Sequence, residues 1–207
     1  TFADRFSMCV INARNYNKES NLNKIARGFF NDTYLFDQNA CTSPHLIIWI
    51  GSERDAKNAK KKFWESLYEI LKRRYRVQSI SAMNKLTAFC NQAMQTNDLC
   101  LEENKDNLLW RVELKNLKND LHKFRSNSGY FLEFQTSSLI DISTIINRKY
   151  QTLSYYGFKK EEMKDLILNL NPVGIDRLVP IGRTMEFSLV WDGYNLIKSL
   201  SRRIEFL

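Results

Sequence analysis

Glycine is scarce in this chain and proline scarcer, seven and three among 207 residues. The glycines stand singly, so neither G-x-G-x-x-G nor G-x-x-x-x-G-K-[ST] occurs, and no phosphate-cradling loop of the dinucleotide or P-loop kind is present. There are two histidines and four cysteines. Cys90 and Cys100 lie ten apart, which fits neither a zinc pair nor a redox Cys-x-x-Cys, so no metal is expected. Unpaired cysteines in a chain of this length read as reduced thiols of a cytoplasmic protein. The longest apolar run, residues 46–50, falls far short of the roughly eighteen that a membrane helix needs. No charged-then-apolar leader opens the chain, and no internal repeat or low-complexity stretch interrupts it.

What is present suits one folded domain: 43% hydrophobic and 13% aromatic residues. The net charge is +8, and residues 53–76 hold nine Lys/Arg against four Asp/Glu. That segment reads as a long helix with Phe63, Trp64, Leu67, Tyr68, Leu71 and Tyr75 inward and a solvated basic face. The different-class alternative is a non-enzymatic interaction module using this helix 53–76 on anionic partners. No zinc-finger, RRM or KH pattern accompanies the charge, so nucleic acid is not expected.

Strand-like and helix-like segments alternate. Residues 6–12, 46–50, 108–114, 130–135, 151–156 and 177–181 read as strands. Helices are expected at 22–30 (capped by Ser20 or Asn21), 53–76, 80–94, 139–146, 160–170 and 196–200. In the helix at 80–94, Ile80, Met83, Leu86 and Cys90 are expected inside, which makes Cys90 a core residue. Residues 95–98 and 102–107 read as loop or irregular link. The alternation predicts an α/β fold, a mostly parallel sheet with helices on both faces.

One cysteine stands apart. Cys41 occupies a short polar connection between the helix at 22–30 and the unbroken apolar run at 46–50, and Pro44 favours an extended exit from it. A thiol in a loop on a rigid scaffold is placed to act as a nucleophile. The plain alternative is a packing cysteine with a neighbouring histidine, His45.

Asp37-Gln38-Asn39-Ala40-Cys41-Thr42-Ser43-Pro44 resembles the active-site signature of the LuxC-type acyl-CoA reductases, the fatty-acyl reductases of bacterial luminescence systems. Two later blocks resemble that family's C-terminal region in the same order: Lys149-Tyr150-Gln151-Thr152-Leu153-Ser154-Tyr155-Tyr156-Gly157, and Gly174-Ile175-Asp176-Arg177-Leu178-Val179-Pro180-Ile181-Gly182 continuing into Phe187 to Tyr194. The resemblance implies an aldehyde dehydrogenase-like catalytic domain over 1–207, the cysteine-bearing half of a larger reductase, with NADPH bound mainly by a half outside this chain. It implies that Cys41 accepts the acyl group of an acyl-CoA or acyl-protein thioester before reduction to a fatty aldehyde. Asn39 and His45 are the oxyanion or orienting candidates it suggests, and Glu133 the cofactor-ribose candidate. An acyl-protein synthetase subunit and further copies of the chain are the implied protein partners. A glutamate base before the cysteine, as hydrolytic aldehyde dehydrogenases carry, is missing from residues 2–11.

Overall fold

The computed structural model describes residues 5–102 and 106–205. Seven strands form one sheet in the order β3-β4-β5-β2-β1-β6-β7, where β1 is Phe6–Asn12, β2 Pro44–Ile50, β3 Leu99–Leu101, β4 Trp110–Leu114, β5 Tyr130–Thr136, β6 Tyr150–Tyr156 and β7 Arg177–Pro180. Every pairing is parallel except that of the edge strand β3 with β4. The expected α/β architecture is therefore present, with one antiparallel edge.

β1 and β2 lack polar alternation because both of their faces are covered. Phe6, Met8, Val10, Leu46, Ile48 and Ile50 point into one core, and Cys9, Ile11, Ile47 and Trp49 into the other. Helices α1 (Ala13–Asn17), α2 (Leu22–Thr33) and α3 (Glu53–Arg74) supply the second core through Tyr16, Ala26, Phe29, Phe63, Trp64 and Leu67. The first core is closed by residues of α4 (Ser79–Gln95), α5 (Lys160–Leu170) and the tight turn Leu139–Thr144. Asn21 caps α2 by accepting from the Lys24 N–H, and Ser52 caps α3 by accepting from that of Asp55.

Four expectations change. The segment at 139–146 forms 3-10 turns, not an α-helix, and residues 99–101, between the two stretches read as irregular link, form the unanticipated β3, while residues 103–105 lie outside the described residues. A small hairpin of β8 (Val190–Trp191) and β9 (Tyr194–Asn195) precedes the short closing helix α6 (Leu196–Leu200). Helix α4 is turned over: Ile80, Met83, Leu86 and Cys90 are exposed, whereas Lys85 and Gln92 are buried. Polar pegs dock this helix. Lys85 Nζ donates to the carbonyls of Ser128 (2.8 Å) and Asn107, and Gln92 Oε1 accepts from the Tyr130 hydroxyl at 3.1 Å. Burial pulls the Lys85 ammonium down to about 8.

Candidate active site

The loop from α2 to β2 is built by local hydrogen bonds. After the tight turn Tyr34–Phe36, Asp37 and Gln38 take left-handed backbone conformations, with φ of 51° and 60°. The Gln38 N–H donates to the Thr33 carbonyl (2.7 Å) and the Asn39 N–H to that of Phe36 (2.8 Å). A left-handed glutamine costs roughly 1–2 kcal/mol of backbone energy, and its side chain offsets that. Gln38 Nε2 donates to the carbonyls of Pro44 and Tyr130, both at 3.0 Å. Its Oε1 accepts from the N–H groups of Gly129 (3.0 Å) and Tyr130 (3.1 Å). One buried carboxamide thus fastens the entrance of β2 to that of β5. Gly129 must be glycine there, because φ is +90° and a Cβ would lie 2.4 Å from the Leu108 carbonyl oxygen.

Cys41 is held through its backbone, and its thiol is exposed. Ser7 Oγ donates to its carbonyl at 2.7 Å, Ser43 Oγ to the Asp32 carbonyl at 2.7 Å, and Thr42 Oγ1 to Met185 Sδ at 3.2 Å. Among the described residues no hydrogen bond uses the main-chain N–H of Cys41, which leaves it available as an oxyanion donor. The thiol borders a cavity of about 920 Å³ at the amino ends of β1, β2 and β5, also lined by Arg5, Asn39, His45, Arg76 and Asn127.

Arg177 completes the surroundings. Its guanidinium stacks on Trp191 with 4.2 Å between the guanidinium carbon and the ring centre, and donates to the carbonyls of Thr184 and Glu186, both at 2.6 Å. Burial lowers its pKa, while Asp192 and Cys41 lie within electrostatic reach and pull the other way. Arg177 starts β7 opposite Thr152, and the Thr152 N–H donates to the same Ser7 hydroxyl that holds Cys41. The strand ladder therefore fixes where this cation stands.

The segment after β7 is anchored by Asp32, which accepts from the N–H groups of Gly182 (2.6 Å) and Thr184 (3.0 Å). Close approach of Gly28 and Gly182 makes that contact possible: a Cβ on Gly182 would stand 3.0 Å from the Gly28 Cα. Burial pushes the Asp32 carboxyl up to about 6, against the pull of those two N–H groups. The unfolded chain loses this proton near pH ~4, and the folded chain keeps it to about pH 6. Asp32's contribution to stability therefore falls as pH rises through that window and is flat outside it. Relative to Asp32→Asn, the wild type is expected to lose about 1 kcal/mol per pH unit between roughly pH 4 and 6. Urea melts of both proteins at the two ends check this; a difference that grows with pH contradicts it.

The remaining sequence candidates separate. His45 is buried on β2, stacks on Phe6 (ring centres 5.6 Å apart, 21° between planes) and borders the cavity. Asn39 braces the loop, its Oδ1 accepting from Asn127 and its Nδ2 donating to the Asp37 carbonyl at 3.4 Å. Glu133, whose plain alternative was an exposed strand position, is 0% exposed. Its Oε2 accepts from the indoles of Trp49 (2.8 Å) and Trp64 (2.9 Å), and its Oε1 from Arg111 Nε at 2.6 Å. Both oxygens are taken and neither borders the cavity, so this residue does not fit a nicotinamide ribose. Gln38, Asp32 and Arg177 were missed as parts of the site, although Gln38 and Arg177 both sit within the blocks that carry the resemblance.

A family model described as acyl-CoA reductase (LuxC) matches residues 1–203. No curated protein matches the chain. Among solved structures, delta-pyrroline-5-carboxylate dehydrogenase from Mycobacterium tuberculosis superposes with a TM-score of 0.57 at 7% identity, over 86% of this chain and 35% of that one. Lactaldehyde dehydrogenase from Escherichia coli gives 0.52 at 9% identity, over 90% and 40%. The 1-pyrroline-5-carboxylate dehydrogenase from Thermus, solved with bound NAD, gives 0.51 at 10%, over 84% and 35%. The fold is that of an aldehyde dehydrogenase domain, and the chain spans 35–40% of the length of these structures. Among the described residues no helix is long and apolar enough to cross a membrane, and no cluster of His, Cys, Asp or Glu could hold a metal.

Proposed function

The chain belongs to the acyl-CoA reductase (LuxC) family, and from that premise we propose that it is the cysteine-bearing part of an NADPH-dependent, fatty aldehyde-forming reductase. One observation carries the reading: an exposed thiol on a loop braced by hydrogen bonds, beside a large cavity and with its own main-chain N–H unused among the described residues. The Cys41 thiolate attacks the thioester carbonyl, the Cys41 N–H donates to the resulting oxyanion, and the carrier thiolate departs with the electron pair of its C–S bond. An acyl-cysteine remains. Sulfur suits this exchange because one thioester replaces another at nearly equal energy, keeping the carbonyl electrophilic. His45 borders the site as an orienting group.

NADPH would supply the hydride that converts the acyl group to aldehyde. Its binding is assigned to a dinucleotide-binding half beyond these 207 residues, a reading supported by the 35–40% share of the matched dehydrogenases that this chain spans. Acyl-CoA and acyl-protein thioesters both fit the exchange, the latter delivered by an acyl-protein synthetase partner. The test is aldehyde production by the full-length protein from a long-chain acyl-CoA, with NADPH and then NADH. Stoichiometric release of CoA and aldehyde is expected, faster with NADPH. A folded protein that releases neither product overturns the reading.

A further inference from the structure

The cavity beside Cys41 is unlike the apolar sleeve a fatty chain needs. Its α4 wall is a polar stripe of Ser81, Asn84, Asn91 and Gln95, solvent-accessible side chains that border the cavity. Four cations line it, Arg5, Arg76, Lys123 and Arg125, against the single carboxylate of Asp37. Asp37 is engaged by the Tyr75 hydroxyl at 2.6 Å, and Arg5 is paired with Asp176. Arg76 is exposed with no acidic partner among the described residues, and the ion pair of Lys123 with Asp120 is loose, at 3.8 Å between exposed side chains. The surplus charge is positive and faces open space. A volume of about 920 Å³ lies in the range of roughly 300–1,000 Å³ that takes a cofactor-sized ligand.

We propose that this cavity receives the phosphate-bearing carrier end of the thioester, with the phosphates against Arg76 and Lys123 and an amide-containing arm along the α4 stripe. The inference rests on the acyl-transfer reading of Cys41 and deepens it. Polarity then orients the substrate: the carrier fills the cavity, the carbonyl stops at Cys41, and the acyl chain leaves in another direction. The amides of α4 pair with the arm, and the exposed cations give affinity that falls with salt.

The test uses coenzyme A, 4′-phosphopantetheine and pantetheine, which share the thiol arm and carry a phosphorylated nucleotide, one phosphate and none, as calorimetric probes of the full-length protein and of Arg76→Ala/Lys123→Ala. The wild type is expected to bind coenzyme A about tenfold or more tightly than pantetheine, with 4′-phosphopantetheine between them, a preference that weakens with salt. The double variant should lose the preference, and Arg76→Lys/Lys123→Arg should keep it. Both side chains are exposed, so unchanged melting temperatures are expected. Equal binding of pantetheine and either phosphorylated probe by the wild type overturns the site, as does a preference that survives in the double variant. A variant that loses affinity for NADPH and not for coenzyme A also overturns it. Acylation of Cys41 by acyl-CoA and acyl-pantetheine, followed in parallel, separates the two readings. If neither acylates Cys41 while the coenzyme A preference behaves as expected, the catalytic reading falls and the site stands. If both acylate it with equal KM in wild type and variant, the site falls.

Discussion

Replacing Cys41 with alanine is expected to abolish thioester exchange and aldehyde formation while leaving the melting temperature almost unchanged. The thiol is exposed and makes no side-chain hydrogen bond among the described residues, and the loop is held by Ser7, Thr42, Ser43 and Gln38 without it. Loss of so little buried surface changes stability by less than about 0.5 kcal/mol. Cys41→Ser should keep the shape and react far more slowly, since a hydroxyl has no accessible anion near neutral pH without a strong base. Cys90, expected from sequence to be a core residue, is exposed and cannot serve as the packing control. Cys9 can. It is 0% exposed on β1, and burial pushes its thiol up to about 12, where it is no nucleophile. Cys9→Ala should cost roughly 1 kcal/mol of stability and leave the activity of folded molecules intact. Activity and melting temperature measured for all three variants check the pattern; a fully active Cys41→Ala enzyme contradicts it.

Gln38→Ala is expected to produce the opposite signature, a large stability loss with activity falling as the site loosens. The substitution strips partners from two buried N–H groups, of Gly129 and Tyr130, and from the carbonyls of Pro44 and Tyr130. Each unsatisfied buried group costs about 1–3 kcal/mol, and alanine is strained where φ is 60°. Partial entry of water reduces the sum, and a loss of about 3–5 kcal/mol is the expected net. Gln38→Glu tests the mechanism more finely. A carboxylate accepts from the two N–H groups but cannot donate to the two carbonyls, so it should recover only part of the loss. Chemical denaturation of the three proteins measures this. An alanine variant within about 1 kcal/mol of wild type would mean that the loop is held by something else.

The sheet was legible because its central strands are buried on both faces and so read as unbroken apolar runs. Residues 46–50 could be little else. The tight turn after Ser138 and the edge strand β3 were less legible, since short irregular elements have no periodicity to betray them. Helix α4 was misread for a physical reason. Its apolar stripe has ordinary helical spacing, but Lys85 and Gln92 find buried carbonyl and hydroxyl partners, and those bonds turn the apolar side outward. Spacing alone cannot report partners 22 to 43 residues away in the chain. The same holds at Glu133, where two indoles and Arg111 on separate elements make a buried carboxylate stable. Cys41 was legible as a loop thiol. Arg177 is set on the same side of the fold only through the order of β2, β1, β6 and β7, which no local pattern encodes.

The most direct measurement is a peptide map by mass spectrometry after brief exposure of the full-length protein to a long-chain acyl-CoA without any hydride donor. Cys90 and Cys100 are exposed like Cys41 and serve as internal references, while Cys9 is buried. A nucleophile at Cys41 predicts the acyl mass on its peptide, near one equivalent, with Cys9, Cys90 and Cys100 unmodified and the label discharged as aldehyde once NADPH is added. Acyl mass spread evenly over the exposed cysteines, or its absence from Cys41 in a preparation that still makes aldehyde, would contradict the assignment.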